Sequence, residues 1–552
     1  MDLKSFMSTL NTDSLVGLSV PLSVPEDDSI MIGYFRPETG AGHVRLPQSE
    51  LKAAVGLLYT GKDFPVAVHG LKRMREVYQL RDLDLEHERI WDTRLMAHLL
   101  DPGRDDDHGY RLSALVRTHL NQDYPYMGEN LFAQDYPEFL RRCVEKDAEL
   151  VHRMTETLVM KMDSDLLQLY REAEFPVSSV LVQMHLDGIA VNQAGCERRL
   201  AAARQELEHL ESQFRFGSRN LFSARKTYWY LHDAGVDFPD DIGRGFRIDD
   251  DELKELAEQH GIELAAQVLL WRKLKRDVRF LEAGAGADRV HPVWRMTRTS
   301  TGRIVASDPP VQNIDKKKYR PLLIAPPGRT LVKADWKTCQ ARILAHLSKD
   351  PELIRLFTDG EDLHSRTAQM LGLGSRDEAK PINFGIIFGQ SPRALAREIT
   401  ASWNEQGRSG RVDEAQAQRY IDAFFGTYKG ILPYFYEEFG RLTDTRVSER
   451  VLKNPVTGRL RRFPKQKSDK LQREMKATLL QQVESHLLKV SLVKLNGEIR
   501  RRGLDARIVA CIHDSIWLEA PLAEEQSVRE IMETVMTTAM SLSAPLLVDF
   551  ED

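Results

Sequence analysis

The spacing of apolar positions changes along the chain, and each regime predicts a different kind of structure. Up to about residue 165, short apolar runs alternate with helical stretches: LVGLSV at 15–20, IMIGYF at 30–35 and FPVAVHG at 64–70. That alternation reads as a small α/β unit. From about 175 to 285 the pattern becomes one of long, charged helices. CERRLAAARQELEHLESQF at 196–214 has apolar residues at helical spacing, and the Gly- and Pro-containing GVDFPDDIGRGFRI at 235–248 interrupts before a further helix, DDELKELAEQ. A mobile, elongated helical subdomain is expected there. After residue 290, the strand candidates TLVKADW (330–336) and ARIVACIHDSIWLEA (506–520) stand ~150 residues apart, and they can still share one sheet if the helical sequence between them is an insertion. No internal repeat or low-complexity tract is present.

A chain of 552 residues exceeds one ordinary core, so about two to four packed units are expected. With 42% hydrophobic and 29% charged residues the composition is that of a soluble globular protein. No apolar run approaches the ~18 to 20 residues of a membrane span. The opening MDLKSFMSTLNTDSL lacks the apolar core and cleavage site of a secretory signal, which makes the cytoplasm the expected setting. Cysteines at 143, 196, 339 and 511 form no CxxC or zinc-like spacing, which disfavours a disulfide framework or zinc module. The net charge of −5 conceals 77 Lys and Arg residues, clustered in RKLKRDVR (272–279), DKKKYR (315–320) and GRLRRFPKQK (458–467). Such runs either line a basic groove or merely solvate helix faces.

Chemistry concentrates at three places. In LVKADWKTCQAR an apolar strand ends at Asp335, and in ARIVACIHDSIWLEA Asp514 follows a second apolar run in a turn between strands. A carboxylate beside a buried strand is costly unless it is paired or metal-bound. Two-metal phosphoryl transfer needs hard oxygen ligands holding ions ~4 Å apart, a role open to this pair. Equally, each Asp could cap a turn or pair with an Arg. The third place is RDEAKPINFGIIFG, where Arg376, Lys380, Phe384 and Phe388 recur every four residues and form one stripe on a helix. Its cationic end suits phosphates and its aromatic end suits a base, although a salt-bridged amphipathic helix has the same spacing. His364, in EDLHSRTAQ, is a candidate phosphate donor.

These stretches, with TGRIVASDPPVQNI (301–314), KADWKTCQARILAHLSKDPELI (333–354) and IHDS (512–515), stand in the order and spacing of one family. The chain resembles the family A DNA polymerases of the bacterial polymerase I large-fragment type. The resemblance implies a multidomain α/β fold, a right hand of palm, fingers and thumb preceded by a ribonuclease H-like, exonuclease-type α/β domain. It divides the chain into 1–165 (degenerate exonuclease-like), 166–290 (thumb, with a palm-linking helix at its start), 291–375 (palm), 376–450 (fingers) and 451–552 (palm again). It implies template-directed extension of a primer with dNTPs, as a monomer acting on primer-template DNA in replication or repair, of phage or bacterial origin. It also implies two Mg2+ ions at Asp335 and Asp514, with Mn2+ able to substitute. Arg376, Lys380 and His364 would meet the triphosphate, with Lys380 also protonating the leaving pyrophosphate. Phe384 would stack on the new base pair, and Phe388 would guard the template position. Arg303, Gln312, Asn313, Arg473, Gln481 and His513 would hold the primer-template. A non-catalytic primer-template binder and a single-subunit RNA polymerase are the competing readings, disfavoured by the intact Asp335, Asp514, Arg376 and Lys380 and by the bulk at 340.

Several positions depart from the family pattern. Gln340 stands where the family carries Glu against the sugar 2′ position, which predicts weaker exclusion of ribonucleotides. Phe388 replaces Tyr, Ser515 replaces an acid and Cys511 replaces a Gln. Pro381 interrupts the stripe and predicts a kink unless the helix begins near it. The Trp- and His-containing tail common in the family is not expected after Asp552. In the N-terminal unit, IWDTRLMAHLLDP (90–102) and RRCVEKDAEL (141–150) match best. Asp2 and Lys4 fall where an Asp-x-Glu pair is needed, Met74 replaces an Asp, and Cys143 replaces a Tyr four residues before Asp147. A cation and a thioether cannot replace carboxylate ligands. The expectation is a unit without 3′-5′ exonuclease activity, and no 5′ nuclease region is expected either.

Overall fold

The computed structural model describes residues 14–20, 29–47, 50, 53–54, 64–80, 89–103, 109–125, 136–213, 220–239, 242–243, 246–407, 410–443, 450–464 and 468–551. Asp2 and Lys4, and the end of the third basic run at 465–467, lie outside them. The N-terminal strands β1 (Val16–Ser19), β2 (Ser29–Arg36), β3 (Gly40–Pro47), β4 (Val66–Val68) and β5 (Ile90–Asp92) form one sheet in the order β3-β2-β1-β4-β5. The first three are antiparallel, whereas β4 runs parallel to β1 and β5 to β4. Helix α1 (Tyr136–Val159) lies directly on this sheet. A Cβ on Gly17 would sit 2.1 Å from the Ala148 carbonyl oxygen, and one on Gly33 would sit 2.0 Å from that of Val144. Glycine is therefore a condition of the contact, since no side chain fits between helix and strand.

The buried helix α2 (Phe175–Asp187), with proline in its first turn, leads to α3 (Gln193–Gln213). Helices α4 (Ala224–Asp233) and α5 (Asp250–Gln259) follow, and then α6 (Glu263–Ala285) packs along α3. Asp249 and Glu252 close a capping box at the start of α5. The basic run 272–279 in α6 is largely consumed here. Arg272 is buried, donating to the Leu221 carbonyl (2.7 Å) and the Thr227 hydroxyl (2.8 Å) and pairing with Asp250, while Lys275 reaches Glu211 at 3.0 Å and Lys273 reaches Asp315 at 2.8 Å. It ties helices together rather than lining an open basic groove.

The second sheet consists of β6 (Arg329–Trp336), β7 (Arg507–Ile512), β8 (Ser515–Pro521) and β9 (Val548–Glu551), ordered β7-β8-β6-β9 and antiparallel throughout. The two apolar runs singled out in the sequence are thus neighbours, and the helical sequence between them is an insertion. Within it lie α7 (Cys339–Ser348), α8 (Leu363–Leu371), α9 (Arg376–Ile387) and the 35-residue α10 (Ser468–Arg502), while α11 (Glu525–Thr538) packs behind the sheet. Helix α10 carries a fully buried ionic cluster in which Lys489 Nζ donates to Glu174 at 2.6 Å and Arg459 pairs with the same carboxylate. Among the described residues no helix is long and apolar enough to cross a membrane.

Candidate active site

Strand β6 alternates so that Val332, Ala334 and Trp336 are buried, with the Trp336 indole donating to the Met536 carbonyl in α11 at 2.9 Å. Period two puts Lys333 and Asp335 on the opposite face. There Asp335 pairs in register with Ser515 on one side and Asp549 on the other. The β7–β8 connection is a two-residue turn, His513-Asp514, with Ile512 opposite Ser515 and His513 at φ +58°. Asp514 is thereby held close enough for its carboxylate to act directly on that of Asp335. Burial, then the neighbouring Asp514 carboxylate, push the Asp335 carboxyl up to about 7. Ser515 supports the turn by donating to the Ile512 carbonyl and accepting from the Trp517 indole.

The donor set fits a hard divalent cation. Asp335 Oδ1 is buried without a hydrogen-bond partner, beside a second carboxylate that it would otherwise repel. No group of three metal-ligating side chains occurs among the described residues. Two carboxylates leave the rest of an octahedral shell to water and substrate phosphates, the usual manner of magnesium in phosphoryl-transfer sites.

Across a cleft of about 790 Å³ from these carboxylates stands α9. Arg376, its first residue, donates from Nε to Asp362 Oδ1 at 2.9 Å, and Asp362 is itself the N-cap of α8. Lys380 is exposed and makes no ion pair among the described residues. The Phe384 ring is 36% exposed and lies 5.9 Å from the His364 ring, centre to centre. The helix continues through Pro381, and Arg376, Lys380 and Phe384 all line the same cleft. The phosphate end and the aromatic end of the stripe therefore stay on one wall despite the missing backbone donor.

His364 is only 4% exposed, and burial holds its pKa down to about 4, with Asp362 opposing and Arg376 and Lys380 assisting. The ring is neutral at pH 7. Thr367 donates to Asn383 Oδ1, so the Asn383 amide nitrogen faces His364 Nδ1 at 2.9 Å. Nδ1 is then the acceptor, and Nε2 carries the proton that His364 can offer to an oxygen.

Gln340, Arg303 and His513 also line the cleft. Five other expected site residues do not. Phe388 caps the end of α9 and packs partly buried on the core. Gln312 is buried, accepting from the Ala306 N–H and donating to the Ile304 and Cys511 carbonyls, so it ties the 304–306 segment to β7. Asn313 is exposed, while Arg473, near Asp469, and Gln481 are half-buried on α10, all outside the cleft. Conversely, the cleft includes residues that the sequence reading missed: Glu484, Asp362, Asn383 and Asp549. Two carried a signal, since Asp362 precedes a helix in capping position and Asn383 lies three residues after Lys380 on the same helix.

Residues 192–551 match the family model described as DNA polymerase family A. DNA polymerase I of Borreliella burgdorferi is 27% identical over 493 residues, covering 84% of this chain and 52% of that protein. The thermostable DNA polymerase I of Thermus filiformis is 28% identical over 533 residues, covering 91% and 57%. The chain spans about half the length of the curated relatives it matches. Among solved structures, the POL domain of Pol1 from M. smegmatis, in complex with DNA primer-template and dNTP, shares the fold with a TM-score of 0.74 at 20% identity, covering 99% of this chain and 97% of that one. The matched span runs from the start of α3 to the last strand and so contains both carboxylate-bearing segments and the helix that faces them, and on that ground the chain belongs to DNA polymerase family A.

Proposed function

We propose that the protein is a template-directed DNA polymerase that extends a primer 3′ end with dNTPs. One observation carries the reading: a single cleft sets the adjacent carboxylates Asp335 and Asp514 opposite two cations, a neutral His and an exposed aromatic ring. A triphosphate needs the cations, a base needs the ring, and a reacting phosphorus must lie near the carboxylates. In this reading residues 291–375 and 451–552 form the palm, 376–450 the fingers and 166–290 the thumb.

Arg376, held by Asp362, presents its remaining N–H groups to the outer phosphates, and Lys380 adds a mobile positive charge one turn later. His364 Nε2–H donates to a phosphate oxygen without adding charge. Phe384 gives the incoming base a face to stack on. Asp335 and Asp514 would hold two divalent cations, Mg2+ with Mn2+ as substitute, which when bound lower the pKa of the primer 3′ hydroxyl and offset the charge developing on the phosphate. Lys380 protonates the leaving pyrophosphate. Arg303 and His513, on the cleft rim, meet the primer terminus.

The N-terminal unit is read as exonuclease-like without the chemistry. Two features support this. Met74 is buried, and the Asp147 carboxyl accepts from the Tyr124 hydroxyl at 2.7 Å and is pushed up to about 6 by burial.

Primer extension with Asp335→Ala and Asp514→Ala variants tests the polymerase reading. Both are expected to abolish extension while primer-template affinity, read by fluorescence anisotropy, stays close to that of the wild type. Unchanged extension in either variant would sink it.

A further inference from the structure

Glu484 enters the cleft from the middle of α10, and its side chain is 7% exposed. Both of its oxygens are engaged. Oε1 accepts from Gln340 Nε2 at 2.9 Å, and Oε2 accepts from Arg303 Nε at 3.1 Å and from the same guanidinium's Nη2. A carboxylate only accepts, so the amide of Gln340 must turn its NH2 group toward Glu484. Its orientation is fixed by chemistry rather than by packing alone. The other end, Gln340 Oε1, is buried and has no partner. Gln340 is thus a strut between α7 and α10, set five residues beyond Asp335 on the cleft floor.

We propose that Glu484 is the positioning residue of Gln340, pinning the amide where the sugar of the incoming nucleotide lies and supplying from α10 the negative charge that an acid at 340 would have carried itself. The inference rests on the polymerase reading and assigns sugar discrimination to a pair of residues instead of one. A glutamine held at one end only by its backbone has three rotatable bonds and gives way to an added 2′ hydroxyl. A glutamine bonded to a doubly anchored carboxylate does not, because moving it breaks a charge-assisted hydrogen bond and leaves part of a buried charge unpaired. The same carboxylate fixes Arg303, so the gate and the primer-side cation share one anchor.

The test compares wild type with E484A, E484Q, Q340E and Q340E/E484Q, measuring incorporation efficiency for matched dNTP and rNTP pairs and the melting temperature without nucleotide. E484A is expected to raise rNTP use relative to dNTP about tenfold, the size of one lost coupled contact. E484Q, which keeps an amide within reach, should shift the ratio less. A merely structural role for Glu484 lowers both efficiencies together and leaves their ratio unchanged. Q340E brings two carboxylates into hydrogen-bonding range and should lower both dNTP incorporation and melting temperature. Adding E484Q re-forms the amide-carboxylate bond with roles exchanged and should restore both. An unchanged ratio in E484A, or a double variant that melts no higher than Q340E, overturns the proposal. A wild type that extends no primer instead defeats the polymerase reading, and the melting comparison still decides whether the pair is coupled.

Discussion

Lys380 and Arg376 lie one turn apart on α9, yet their surroundings differ. Both are exposed, but Arg376 is committed to Asp362, whereas Lys380 pairs with no carboxylate among the described residues. Arg376→Ala is therefore expected to raise KM for dNTP with little change in kcat, because it removes binding shared by ground and transition states. Lys380→Ala should slow the chemical step by on the order of a hundredfold, as loss of a positioned proton donor does. Burst-phase kinetics separate the two, and a full-rate burst in Lys380→Ala would remove Lys380 from proton transfer. The same residues show what sequence can and cannot reveal. Asp335 and Asp514 were legible because a carboxylate at the end of an apolar strand has few inexpensive explanations. The surroundings of Gln312 could not be read, because an amide looks the same in sequence whether it faces a groove or, as here, three backbone groups at Ala306, Ile304 and Cys511. Glu484 gave no signal at all, since its partners Arg303 and Gln340 are 181 and 144 residues away.

At the scale of elements, the buried triad Glu174, Arg459 and Lys489 joins the turn that leads into α2 to α10. The site they support is close at hand: a Cβ on Gly302, next to Arg303, would meet the Arg459 guanidinium at 2.6 Å. Burial alone would raise the Glu174 pKa, but Arg459 and Lys489 bring it from 4.5 down to about 2. A lowered acid contributes stability that is present above pH 4.5 and lost as pH falls from 4.5 through about 2. Lys489 is lowered by burial from 10.5 to about 8, so it stays charged at pH 7 while the fold binds its proton less tightly than the unfolded chain, and stability rises as pH goes from about 8 to 10.5. Glu174→Gln leaves two buried cations without a counter-charge and should cost about 3 to 5 kcal/mol. Melting curves across pH check both signs. The expected outcome is a large loss at pH 7 that shrinks towards pH 2, where Glu174 in the wild type also becomes neutral. A loss independent of pH would show that the triad's charge is not what matters. Sequence patterning found the helices here but misjudged some of their faces. The basic run of α6 was open to two readings, a groove lining or a solvated face, and its most buried member, Arg272, is neither, cross-linking α6 to α4 and α5.

At the scale of the whole molecule, the N-terminal sheet is closely packed, with α1 touching strand backbone at Gly17 and Gly33. The order β3-β2-β1-β4-β5 was foreshadowed only as alternating short runs, because strand order depends on pairings that periodicity does not encode. A mismatched primer incubated with the protein and magnesium is expected to stay full length. Metal-dependent shortening that disappears in Asp147→Ala would restore a proofreading role to this unit.

The tight connection that bears Asp514 fixes more than one side chain. Because strands on both of its flanks are laced together by main-chain bonds, and Asp335 lies on the next strand, the gap between the two acids is set by backbone register. A shift of α9 would change its own distance from the pair and leave the gap between the acids as it is. The wall that bears the two acids is the rigid one, and any adjustment to a bound substrate would fall to α9 across the cleft.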